Sequence, residues 1–147
     1  MKKDIRYVPS CEDVIEGMLD MACVGPSDVV YDLGSGDGRV VIAAARRGAR
    51  AVGIELDRAL VELSRADAEE AGVKAEFRLG SFFEEEIREA TVVTLYVHQS
   101  VNLKLLPRLR RELRKGTRVV SQLFDMGVWQ PVSMTMVGGK PLFLWIL

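Results

Sequence analysis

Three glycines at alternate positions, Gly34, Gly36 and Gly38, follow the apolar run Val29-Val30-Tyr31-Asp32-Leu33 and precede an apolar segment that opens at Arg39. Glycines between a strand and a helix let the backbone approach a ligand closely, and the helix beyond presents unpaired N–H groups. Glu55 closes the next apolar run, about 20 residues further on, where a carboxylate accepts both hydroxyls of a ribose. Loop, acid and strand context together specify an adenosine-containing cofactor. Asp32 decides which one. A dinucleotide fingerprint needs a glycine three positions after its second, and that position is Arg39. A carboxylate at the start of the loop repels a pyrophosphate and attracts an ammonium, such as that of the methionine moiety of S-adenosylmethionine (SAM). SAM is therefore the expected cofactor.

The elements that must position these residues alternate. Residues 29–33, 51–54, 75–79, 91–97 and 117–123 read as strands, with 75–79 at an edge and 91–97 buried by its β-branched run. Helices are expected after Ser10 as N-cap, over residues 39–47 with Gly48 closing, and after the Asp57 cap as far as Gly72. In the third of these, Leu60, Leu63 and Ala71 are expected to face inward. Val101, Leu105, Leu109 and Leu113 mark a fourth helix that Pro107 kinks or restarts. Residues 132–137 and 142–147 around Gly138-Gly139 read as an antiparallel hairpin. The expected fold is α/β and Rossmann-like: a mostly parallel twisted sheet with a C-terminal antiparallel hairpin, in one domain over residues 1–147.

Composition bounds the function. The 147 residues carry a net charge of −1, which argues against a dedicated nucleic-acid surface. No apolar run approaches the ~18 residues of a membrane span, and the N-terminus lacks a signal peptide, so a cytoplasmic protein is expected. Cys11 and Cys23 are too few for a disulfide framework or a metal site and read as two small residues on one helix. The basic stretch Arg108, Arg110, Arg111, Arg114, Lys115 and Arg118 reads as a solvated helix face, and Glu84-Glu85-Glu86 as a solvated turn.

The segment Asp32-Leu33-Gly34-Ser35-Gly36-Asp37-Gly38 resembles the first motif of class I SAM-dependent methyltransferases. The resemblance implies that Asp32 lies near the SAM amino group and that Gly34, Ser35 and Gly36 line its methionine part. It implies further that Glu55 holds the ribose, that Leu56 flanks the adenine, and that Ser81 and Phe82 sit in the loop reading the adenine edge. Tyr7-Val8-Pro9-Ser10, Thr94-Leu95-Tyr96, Ser100-Val101-Asn102 and Phe124-Asp125-Met126-Gly127-Val128-Trp129 resemble a narrower group. These are the small archaeal protein-lysine methyltransferases and the related mitochondrial enzymes acting on the ATP/ADP carrier and the ATP synthase c subunit. This implies a protein substrate with exposed lysines, Tyr7 as a lid over SAM, and Tyr96 lining the methyl-transfer channel. Phe124 and Trp129 are further candidates for a face holding the lysine stem. The Asn/Asp-Pro-Pro-aromatic motif of base-directed enzymes is missing after the fourth strand, which reads Leu95-Tyr96-Val97-His98.

Two other readings compete: a small-molecule methyltransferase, and a SAM-binding partner protein without catalysis. His98, the only histidine, suits a proton acceptor by its pKa, but a structural or surface role is the stronger expectation.

Overall fold

The computed structural model describes residues 11–147, so Tyr7 and Ser10 lie outside the described residues. The elements run α1 (Glu12–Met21), β1 (Val29–Leu33), α2 (Arg39–Arg46), β2 (Arg50–Glu55), α3 (Arg58–Ala71), β3 (Glu76–Leu79), β4 (Val92–Leu95), α4 (Gln99–Glu112), β5 (Arg118–Gln122), β6 (Ser133–Val137) and β7 (Lys140–Ile146). Their strands form one sheet in the order β3-β2-β1-β4-β5-β7-β6. The first five strands are parallel, whereas β7 runs antiparallel to both β5 and β6. The expected Rossmann-like architecture and its hairpin are thus both present, with β3 at one edge.

Each face of the sheet buries its own core. Val30, Ala51, Val92 and Val120 pack under α1, α2 and α3, and Tyr31, Val52, Val93 and Val119 pack under α4 with Leu105 and Leu109. Strand order reverses between β1 and β4, so the crevice for a ligand opens there, at the carboxyl ends of the strands.

Several local expectations shift. Helix α1 begins at Glu12 with Cys11 as N-cap and no side-chain cap bond; Cys11 and Cys23 flank the helix rather than sit on it. In α3 the buried residues are Val61, Ser64 and Ala68, while Leu63 is exposed. The apolar face is rotated because Ser64 packs beneath the glycine loop, a demand of tertiary contact that an apolar-residue count overlooks. Pro107 lies inside an unbroken α4. Strand β4 stops at Leu95, so Tyr96 and Val97 belong to the crevice loop and not to the sheet.

Candidate functional site

One side of the sheet carries the site's polar side chains. Side chains alternate along a strand, so the face burying Val30, Ala51, Val92 and Val120 also carries Asp32, Thr94, Glu55 and Gln122 near the strands' carboxyl ends. Asp32 is buried, and the Thr94 hydroxyl donates to its Oδ1 at 2.7 Å. No cation reaches it among the described residues. Burial pushes the Asp32 pKa up to about 7; Glu55 and Asp37 push in the same direction, and the Thr94 hydrogen bond only partly offsets them. A carboxylate so placed favours a bound ammonium.

The glycine loop is locked from three sides. Gly36 N–H donates to Glu55 Oε1 at 2.8 Å, and Asp57 N–H donates to Glu55 Oε2 at 3.0 Å. The single hydrogen of Ser64 Oγ is shared between the Leu60 carbonyl at 2.7 Å and the Gly36 carbonyl at 3.1 Å. Gly38 has φ of 84°, and a Cβ there would stand 2.9 Å from both Phe77 Cε1 and Ser64 Oγ, so no side chain fits. Ser35 turns its hydroxyl beneath the loop, 2.6 Å from where a Gly53 Cβ would stand. That hydroxyl is buried with no hydrogen-bond partner among the described residues, while the Ser35 N–H donates to the Ile54 carbonyl at 3.0 Å.

Around the loop stand three apolar groups. Phe82 Cε2 and Val97 Cγ1 lie 3.4 and 3.5 Å from the position of a Gly34 Cβ. Leu56, beside Glu55, is 70% exposed, an apolar surface available to a planar ring. Tyr96 is half-buried just past β4, one residue beyond the Leu33–Leu95 pair. The Ser81 hydroxyl accepts from Phe83 N–H at 3.1 Å and its carbonyl from Glu84 and Glu85, so Ser81 caps the turn. Arg108 donates to the carbonyls of Phe82 and Glu85 and pins that turn to α4.

Other candidates make contacts within the fold. His98 is the N-cap of α4: its Nδ1 accepts from Ser100 N–H at 3.2 Å. Trp129 stacks 5.5 Å from Trp145 and carries the Arg110 guanidinium 4.9 Å over its ring, so its ring already has an aromatic and a cationic neighbour. Much of the basic stretch is likewise committed. Arg118 binds Asp28 and the Ala22 carbonyl, and Arg114 reaches the Arg88 carbonyl.

Sequence reasoning missed Thr94, Ser64 and Asn102 as working residues. A signal existed for each: a lone polar residue on an otherwise apolar, inward-facing stretch must find a buried partner. Among the described residues there is no group of three or more His, Cys, Asp or Glu that could hold a metal ion. No described helix is long and apolar enough to cross a membrane.

The chain resembles known proteins over nearly its whole length. It is 43% identical over 137 residues to the protein-lysine N-methyltransferase of Saccharolobus islandicus, an alignment covering 90% of this chain and 85% of that one. It is 36% identical to the adenine nucleotide translocase lysine N-methyltransferase of Mus musculus, but spans only 59% of that protein's length. Its fold matches a crystal structure of an RNA methyltransferase from Salinibacter ruber in complex with S-adenosyl-L-homocysteine. The TM-score is 0.93 and the identity 53%, with 95% of this chain and 93% of that one covered. A family model, the ANTKMT methyltransferase domain, matches residues 32–133. This chain belongs to the ANTKMT methyltransferase domain family.

Proposed function

We propose that this methyltransferase transfers a methyl group from SAM to lysine side-chain amines of protein substrates. The buried, cation-free Asp32 carboxylate carries the SAM half of this reading. The 43% identity to a protein-lysine N-methyltransferase across most of both chains supports the lysine half. The site fits the cofactor: Asp32 receives its amino group, the backbone of Gly34, Ser35 and Gly36 lines its methionine part, and Glu55 takes the ribose hydroxyls. Leu56 and Phe82 flank the adenine, with the capped Ser81 turn at its edge. Tyr7, outside the described residues, supplies the lid, and Tyr96 lines the passage to the amine.

SAM supplies an already activated methyl group, so the residues here bind, orient and exclude water. A lysine amine pays roughly 4–5 kcal/mol to be neutral at pH 7. Alignment of nucleophile and methyl group recovers about 7–11 kcal/mol, which makes a strong general base unnecessary. Capping of α4 by His98 fits that economy. Two free, exposed cysteines suit a reducing compartment such as the cytoplasm.

A second reading, RNA as substrate, draws on the description of the Salinibacter ruber enzyme. The test is to incubate the protein with methyl-labelled SAM, a mixed protein pool and total RNA, then digest with protease or nuclease. Label released by protease supports lysine transfer. Label confined to nuclease-sensitive material supports the RNA reading and removes ours.

A further inference from the structure

Three consecutive residues after β4 tie the glycine loop to the loop following β5. Val97 flanks Gly34, as described above. The His98 ring stands 5.2 Å from the Phe124 ring. Gln99 Nε2 donates to Asp125 Oδ1. The loop they reach is bent unusually. Leu123 has φ of 73°, and Phe124 N–H bonds back to the Gln122 carbonyl at 2.9 Å, a γ-turn of the rare positive-φ kind.

Such a turn is strained for a side chain as large as leucine, and it persists only where the surroundings over-determine it. They do so here. Leu123 N–H donates to the Pro141 carbonyl at 2.8 Å, and Ser121 Oγ donates to the Phe124 carbonyl at 2.6 Å. Asn102, wholly buried in the first turn of α4, donates from Nδ2 to the carbonyls of Phe124 and Asp125 at 3.1 and 3.3 Å.

This scaffold fixes one carboxylate. Asp125 is half-buried, its Oδ1 accepts from Gln99 and from Gly127 N–H at 3.0 Å, and no cation pairs with it among the described residues. It lies three residues past Gln122, and Gln122 follows the Leu95–Ser121 pair on β5 as Tyr96 does on β4. A fixed carboxylate with no cation among the described residues, just past β5 beside the end of β4 that Tyr96 follows, fits a cationic chain arriving from solvent.

We propose that Asp125 is the group that receives the substrate's lysine ammonium, held in place by Gln99 and Asn102 as positioning residues. This rests on the lysine reading above. An ion pair favours the protonated amine, so Asp125 acts in capture, not in the chemical step. Its loss falls on KM for the lysine substrate and spares kcat and SAM affinity.

The test uses the full chain, saturating SAM and a synthetic peptide with one lysine, with methyl-lysine read by mass spectrometry. Asp125→Asn is expected to raise the peptide KM about tenfold and leave kcat within about threefold. It also flattens the salt dependence of kcat/KM while the calorimetric SAM Kd is unchanged. Asp125→Glu restores part of the loss. Gln99→Met, which removes only the donor, gives a smaller rise in KM and covers the case in which Asp125→Asn folds poorly. An unchanged KM and salt dependence in both Asp125→Asn and Gln99→Met overturns the proposal alone. So does a loss of SAM binding in a folded Asp125→Asn protein, which marks a structural role. A wild-type protein that methylates RNA but no lysine overturns the lysine reading and this proposal together.

Discussion

Asp32 and Thr94 face each other across the paired strands β1 and β4, and the Thr94 hydroxyl donates to the Asp32 carboxylate at 2.7 Å. This one bond is the only compensation the described residues offer a carboxylate whose pKa burial has pushed up to about 7. The partner we propose for it is the SAM ammonium. Only the ionised carboxylate binds it well, so SAM affinity is full above pH 7 and falls as protons compete. The Kd should rise about tenfold for each pH unit below 7, until the pKa of the complex is reached. Calorimetric titrations between about pH 5.5 and 8.5 measure this. A flat profile would remove Asp32 from amino-group recognition.

The same carboxylate costs stability when SAM is absent. Its folded pKa of about 7 lies above the ordinary 3.8, so the folded state binds the extra proton between those values. The penalty is complete above pH 7 and fades as pH falls toward 3.8. Asp32→Asn keeps an acceptor for Thr94 and should stabilise the apo protein by roughly 1–3 kcal/mol at about pH 8, with little effect near pH 4. It should also lose SAM binding. Urea unfolding at the two pH values checks the sign; a variant less stable at pH 8 contradicts the burial argument.

Gly38→Ala adds a side chain at φ of 84° and brings a carbon within 2.9 Å of Phe77 and Ser64. Strain and overpacking together should cost about 2–4 kcal/mol of stability. SAM binding should weaken as well, because Ser64 must move off the Gly36 carbonyl. An alanine variant with wild-type unfolding would show that the loop is not tightly packed.

Glu55→Gln retains an oxygen for Gly36 N–H, which it holds at 2.8 Å, but removes the charge we propose to bind the ribose hydroxyls. Charged hydrogen bonds are worth roughly 1.5–3 kcal/mol, so the SAM KM should rise about tenfold or more with kcat little changed. A variant whose kcat falls while its KM stays constant would place Glu55 elsewhere in the reaction.

His98→Ala removes the α4 cap and should lower stability by about 0.5–2 kcal/mol. Turnover measured well below the melting transition should remain within about threefold of wild type. A loss of several hundredfold would reinstate the histidine as a proton acceptor.

The sheet was legible because its period is short and its breaks are chemical. Strand β1 is Val29–Leu33 as read, and Gly138-Gly139 does turn the chain between β6 and β7. Less visible was what depends on distant partners. Leu63 looked as apolar as its neighbours, yet Ser64 takes the buried place, its hydroxyl set against the carbonyls of Leu60 and Gly36. Tyr96 and Val97 have strand-like side chains, but β4 ends at Leu95 where the crevice opens. Asp32, Gly36 and Glu55 could be picked out by type and spacing. The hydrogen bonds of Thr94, Ser81 and Asn102 depend on side chains that the fold alone brings together.

Lysine methylation that depends on Asp32 is read out by tandem mass spectrometry of a protein pool incubated with SAM and either the wild-type chain or Asp32→Asn. New methyl-lysines are expected with the wild type and none with the variant. Methylated RNA nucleosides without any methyl-lysine, or equal methyl-lysine from both proteins, would contradict this expectation.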